Sequence, residues 1–115
     1  MLSVAIATLP PTEPAVVEAV AQSCEEAIGD GRCRPAAELS PATVVTWYAL
    51  IRSEDPSAPS LKIEFHDRTL GGALIETRTL SFSERDTQAS RWASAGAVIA
   101  AFVAARDSAG VPAPR

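Results

Sequence analysis

The sequence predicts an α/β (α+β) domain: a two-layer sandwich in which a mixed sheet of four to five strands carries two helices on one face, in the order β-α-β-β-β-β-α. Three observations predict it. Several segments alternate apolar and polar residues with the period of a strand. Two longer segments repeat apolar residues at steps of three and four, the period of a helix. The strand-helix-strand opening implies a parallel pair joined by a right-handed crossover, whereas the later strands are spaced as an antiparallel meander.

Leu2, Val4 and Ile6 alternate with Ser3, Ala5 and Ala7, which predicts a first strand ended by Pro10 and Pro11. Thr12 is the expected N-cap of the first helix, with Glu13 and Pro14 in its first turn, where a missing N–H costs little. Val17, Val20, Ala21, Cys24, Ala27 and Ile28 make its apolar face, and Glu18, Gln22, Glu25 and Glu26 its wet face. Gly29 suits the left-handed residue after the last turn. Arg32 to Ala36 is a short strand that Pro35 confines to an edge, and Pro41 is a break. Val44 to Arg52 is the strongest strand, with Val45, Trp47, Ala49 and Ile51 on one face and Val44, Tyr48 and Leu50 on the other. Glu54 to Ser60, with two prolines, is a loop.

Leu61, Ile63 and Phe65 alternate with Lys62, Glu64 and His66, the pattern of a half-buried antiparallel strand. Gly71-Gly72 turns the chain into a last strand, Ala73 to Phe82. That strand contains a conflict. If Leu80 and Phe82 point inward, strict alternation places Arg78 and Glu76 on the same face. Either a bulge or an Arg78–Glu76 pair at the sheet margin would resolve it.

The final helix, roughly Asp86 to Arg106, organises the rest. Ala89, Trp92, Ala95, Gly96, Ile99, Phe102 and Val103 form one face, capped by Ser83 or Asp86 and ended near Gly110 and Pro112. Its small residues let it sit close to a sheet. The uncharged run from Trp92 to Ala105 is shorter than the roughly 20 residues of a membrane span, so a core helix is expected. Residues 1–109 read as a single domain of ordinary globular composition, and 110–115 as a Pro-containing tail or the start of a linker. The apolar Met1 to Leu9 lacks a preceding positive region and reads as a strand, although a trimmed or misassigned start would remove a leader.

A net charge of −4 and a pI near 4.9, with one Lys and scattered Arg, exclude a nucleic-acid footprint and a polybasic membrane patch. No membrane contact is expected within the chain. Cys24 and Cys33 are the only cysteines. The Gly-Asp-Gly reversal between them can bring them together, and a disulfide closing so short a loop would imply an oxidising compartment. The other state is two reduced thiols, one packed as a small hydrophobe. No metal site is expected, since two thiols without further ligands cannot complete a zinc shell. No cofactor is implied, because no phosphate-binding Gly loop precedes a helix.

His66, with Glu64 and Asp67 beside it, is the one candidate for acid–base chemistry. No serine sits in a nucleophile elbow, so no catalytic residue is assigned and the protein is read as a non-enzyme. Arg78, Arg91 and Trp92 are the candidate partner-binding residues, as one recognition patch.

A helix ending in a cysteine-bearing turn, the strand Val44 to Ile51, Arg78-x-Leu80-x-Phe82, then Asp86, Arg91-Trp92, Gly96 and Val98-Ile99-Ala100 resemble the amino-terminal region of uncharacterised bacterial envelope proteins. The topology is similar to the small amino-terminal domain of the periplasmic translocation protein TolB. The resemblance implies a periplasmic or envelope-associated module and brings no catalytic residues. The expected function is therefore non-enzymatic: a protein-interaction or structural module that binds a partner protein, or another copy, through an exposed sheet face or edge. The alternatives are a cytoplasmic regulatory or adaptor domain, and a small ligand-binding protein or enzyme.

Overall fold

The computed structural model describes residues 2–9, 12–40, 42–53, 60–68, 71–83 and 85–109, with side chains to residue 106. Of the expected loop Glu54 to Ser60, residues 54–59 lie outside the described residues, as do the break at Pro41 and the tail at 110–115, whereas Ser60 already belongs to a strand. The elements run in the expected order. They are β1 (Val4–Leu9), α1 (Pro14–Ile28), β2 (Cys33–Pro35), a 3-10 turn (Ala36–Glu38), β3 (Trp47–Arg52), β4 (Ser60–Asp67), β5 (Ala73–Ser81) and α2 (Gln88–Ala109).

The sheet order is β2-β1-β3-β4-β5. β1 pairs in parallel with both β2 and β3, and β3-β4-β5 form the antiparallel meander. The first strand is thus interior, and Pro35 lies in an edge strand only three residues long, where a missing N–H is tolerated.

Alternation along each strand sorts its residues onto two faces. The helix-facing side presents Val4 and Ile6, Trp47, Ala49 and Ile51, then Leu61, Ile63 and Phe65. These pack with Val20, Ala21 and Cys24 of α1 and with Ala95, Ile99, Ala100, Phe102 and Val103 of α2 in one cluster. Phe102 is its centre. Its ring stacks on Phe65 with centroids 3.8 Å apart and meets the edge of Trp47 at 5.1 Å. The guanidinium groups of Arg78 and Arg106 lie 5.9 and 5.3 Å from its centroid.

The conflict in β5 is resolved by the ion pair at the sheet margin; the bulge lies beyond the pair, at Ile75, and leaves Arg78 and Glu76 on the helix side. Arg78 pairs with Ile63 and Glu76 with Phe65, so both charges do point to the helix side. They can do so because β5 is the edge: each remains partly exposed, and Arg78 Nε donates to Glu76 Oε2 at 2.5 Å. The pairing then slips between Phe65 and His66, which leaves Ile75 unpaired as a bulge and sends Leu74 to the opposite face beside His66.

Some local expectations are corrected. Thr12 does not cap α1. Its hydroxyl lies 3.0 Å from that of Thr8 and is tied to the end of β1, so Glu13 occupies the cap position without a side-chain bond and Pro14 opens the helix. Gly29 has φ 120 and ψ 152, a conformation for glycine alone rather than the left-handed helical one. Ser83 and Asp86 do not cap α2. They close a turn on each other, with the Ser83 N–H donating to Asp86 Oδ2 at 2.8 Å, and Thr87 takes over the cap by accepting from the Ser90 N–H at 3.1 Å. Val45 precedes β3 and folds over the opposite face of the sheet beside Ala5 and Tyr48.

Candidate functional site

The face of the sheet away from the helices is the main open surface. At one end the 3-10 turn and the segment after it cover Ala5, which is 2% exposed. Beyond this cover the strands present three rows across the sheet. One is Tyr48, His66 and Leu74, the next Ala7, Leu50, Glu64 and Thr77, and the third Leu9, Arg52, Lys62 and Thr79. Leu9 and Leu74 are 42% and 54% exposed, and Tyr48 and Leu50 are half-buried.

A charged cluster lies in the middle of this face. Arg52 Nε bonds Glu64 Oε2 at 2.9 Å. His66 Nε2 lies 3.4 Å from the other oxygen of the same carboxylate, and its Nδ1 is 3.0 Å from the Gly72 carbonyl. Tyr48 meets the His66 ring edge-on at 6.5 Å. Both hydrogen-bonding neighbours of His66 are acceptors, so a ring with one proton donates to one of them and a doubly protonated ring to both.

The hydrogen bond from Arg52 holds the Glu64 carboxyl below its ordinary range. Partial burial opposes this, and His66 adds to the lowering. The cluster fastens β3, β4 and the β4–β5 turn together, and it leaves Glu64 a poor proton acceptor.

A pH dependence follows, with its sign. A carboxyl whose folded value is depressed contributes stability that is fully present above its unfolded value and lost as pH falls through the folded one. Glu64→Gln is therefore expected to destabilise the domain at pH 7 and to cost progressively less as pH falls below about 4.5. Urea midpoints of both proteins across that range check it; a constant difference at all pH values would contradict it.

The cysteines predicted to pair lie together. Their sulfurs are 2.16 Å apart and the Cα atoms 6.1 Å, and both side chains are fully buried. The link fastens the short edge strand β2 to the inner face of α1. The turn between them is held by the Gly31 N–H, which donates to the Glu25 carboxylate. In the loop-entropy model a loop of this length contributes about 2–3 kcal/mol. Reduction, or the double change Cys24→Ser and Cys33→Ser, is expected to lower the thermal midpoint by about 10 °C. A midpoint unmoved by reduction would show that the link carries no stability.

The predicted recognition triad is not brought together. Arg78 lies over Phe102, whereas Arg91 lies 5.5 Å over Phe82 and donates from Nη2 to the Ser83 carbonyl at 3.4 Å. Phe102 and Arg91 are eleven residues apart on one helix, about 16 Å by its rise. Trp92 turns from Arg91 toward α1, packs partly on the core and lines a groove of about 700 Å³ with Thr12, Ala15, Val16, Ala19 and Ala93. Neighbouring residues on a helix do not share a face, which separates Arg91 from Trp92.

Sequence reasoning missed the tie between Arg52 and Glu64. The available signal was opposite charge at outward positions of two adjacent antiparallel strands. Among the described residues no group of three or more His, Cys, Asp and Glu is placed to hold a metal ion, and no helix is long and apolar enough to cross a membrane.

No protein-family model matches the chain, and no curated protein does. Among solved structures the chain is similar to a dodecamer of a PelC point variant from Paraburkholderia phytofirmans. The TM-score is 0.58 at 17% sequence identity, over 88% of this chain and 87% of that one. At that identity the likeness is one of fold.

Proposed function

We propose that this domain is a non-enzymatic protein-interaction module of a bacterial envelope protein, binding a partner protein or another copy of itself through its open sheet face. The observation that carries the reading is that face. Tyr48, Leu50, Leu9 and Leu74 place apolar surface among ion-paired charges on one side of a two-layer fold, where a third layer can pack. β5 supplies a neighbouring edge, although its bulge and its inward charges are the devices that discourage strand addition, so the face is favoured over the edge. The similar fold of PelC occurs in a dodecamer, which supports association as the use of this architecture.

The envelope part of the reading rests on Cys24 and Cys33, whose distance suits an oxidising compartment. Quenching cells of the native host with an alkylating agent tests it. Two thiols that take label only after reduction support an extracytoplasmic setting; two thiols labelled without reduction would place the protein in the cytoplasm as a regulatory or adaptor domain.

The interaction itself is tested by a photo-crosslinking residue placed at Leu50 on the face and, separately, at Thr79 on the edge. An adduct from position 50 in living cells is the expected result. No adduct from either position would overturn the reading.

A further inference from the structure

The covered end of the open sheet face holds a pocket of about 190 Å³. Its floor is Ala5 of β1 and Val45, both buried. Ala5 is small at a place on an interior strand where a larger side chain would fill the space. The chain leaves β2 at Pro35 and passes directly into the 3-10 turn, which brings Ala36 and Leu39 over that floor. Tyr48, paired with Ala5 across the sheet, closes a side.

Polar side chains complete it. The Ser40 and Thr43 hydroxyls lie 3.1 Å apart. That bond uses one of their two protons and leaves the other free to donate. Arg68 is exposed and lines the same pocket. Its main-chain N–H donates to the Thr46 carbonyl at 3.0 Å, which fixes it just beyond the end of β4. Among the described residues no Asp or Glu lines the pocket, and the Arg68 guanidinium holds no carboxylate, whereas Arg52 and Arg78 are each paired with a glutamate. In a chain of net charge −4, the one charge at this pocket is positive.

We propose that this pocket binds a small monocarboxylate, with the carboxylate on the Arg68 guanidinium and the hydrocarbon part against Ala5, Leu39 and Val45. A guanidinium presents its N–H groups in a planar fork that matches a carboxylate, and the spare hydroxyl proton of the Ser40–Thr43 pair supplies a further donor. The volume is that of about six waters of liquid, which limits the ligand to roughly ten non-hydrogen atoms. Inorganic phosphate would leave the apolar floor bare, and a neutral hydrocarbon would leave the guanidinium unused. The proposal goes beyond the interaction reading above. Leu50, the crosslinking position on the face, does not line the pocket, so either can fail alone.

The test titrates the oxidised, full chain with sodium benzoate against sodium chloride at matched ionic strength and neutral pH, read by amide NMR shifts. Saturable shifts at Ala5, Ala36, Thr43 and Tyr48 are expected, with a dissociation constant on the order of 1 mM. Benzamide, which keeps the shape and lacks the charge, and inorganic phosphate, which keeps the charge and lacks the apolar body, are each expected to bind ~10-fold more weakly. Benzoate is expected to lose a similar factor on Arg68→Gln, and less on Arg68→Lys, which keeps the charge without the fork. Arg68 is exposed, so both variants are expected to keep the wild-type thermal midpoint.

Benzoate shifts that do not saturate, or that leave these amides unmoved, would overturn the proposal. So would equal binding of benzamide, or benzoate binding unchanged by Arg68→Gln, because either would show that the charge is not read. Phosphate that displaces benzoate with equal affinity would overturn it in favour of a site for inorganic anions. None of these outcomes touches the crosslink from position 50, which alone decides the interaction reading.

Discussion

Phe102→Ala is expected to remove about 3–5 kcal/mol of stability. That is a large share of the roughly 5–15 kcal/mol available to a domain of this kind. The ring is 1% exposed and touches three sets of partners: Phe65 stacked on it, Trp47 edge-on, and the Arg78 and Arg106 guanidiniums. Truncation opens a cavity where α2 meets β3 and β4, and these neighbours cannot collapse into it without moving the helix. It also strips both arginines of the ring they lie over. Phe102→Leu restores most of the bulk and none of the aromatic pairing, which is worth about 0.5–1.5 kcal/mol beyond buried area. Urea unfolding of the three proteins separates the two contributions. A loss below about 1 kcal/mol for the alanine variant would mean that the site repacks and that Phe102 is not the centre of the core.

Gly96→Ala is expected to destabilise the domain even though Ala is the better helix former by about 1 kcal/mol. A Cβ built on Gly96 would lie 2.5 Å from the Val20 carbonyl oxygen, 2.7 Å from Ser23 Cβ and 3.0 Å from Ser23 Oγ. The first of these is backbone within α1 and cannot turn aside. The two helices must therefore separate. Separation would stretch the bond from Ser23 Oγ to the Ala93 carbonyl, which is 2.7 Å long, and loosen Val20 and Ile99 beneath it. Overpacking of this kind costs about 1–3 kcal/mol, so the net change remains a loss, and Gly96→Leu is expected not to fold. The midpoint of urea unfolding decides: a stabilised Gly96→Ala protein would show that the helices separate at no cost.

Much of the fold was legible because its patterns are local. The alternation from Leu61 to His66, the Gly71-Gly72 turn and the Val20, Ala21, Cys24 face each depend on a few neighbouring residues, and all occur as expected. The pairing of Cys24 with Cys33 was legible because only a short reversal lies between them.

What the chain did not disclose depends on distant partners. The interior place of β1 is set by pairing with residues some 30 and 43 positions later. The inward direction of Arg78 and Glu76 is possible only because β5 is an edge, and an edge is a property of the whole sheet. Ser83, Asp86 and Thr87 are all competent caps within five residues, and the course of the chain from β5 into α2 decided among them. The proposed triad failed for a simpler reason: Arg91 and Trp92 are adjacent in sequence and therefore diverge on a helix.

The interior position of β1 bears on the order in which the domain is assembled during synthesis. Of its strands β1 emerges first and finds β2 as soon as α1 has been made. From there β3, β4 and β5 add one after another on the same side, in the order in which they leave the ribosome. Each new strand meets a neighbour that is already in place. α2 comes last, and until it arrives Trp47, Ile63 and Phe65 have no cover. A nascent chain stalled before Phe102 therefore displays the most apolar surface the domain ever makes, and it is in that interval that aggregation competes with folding.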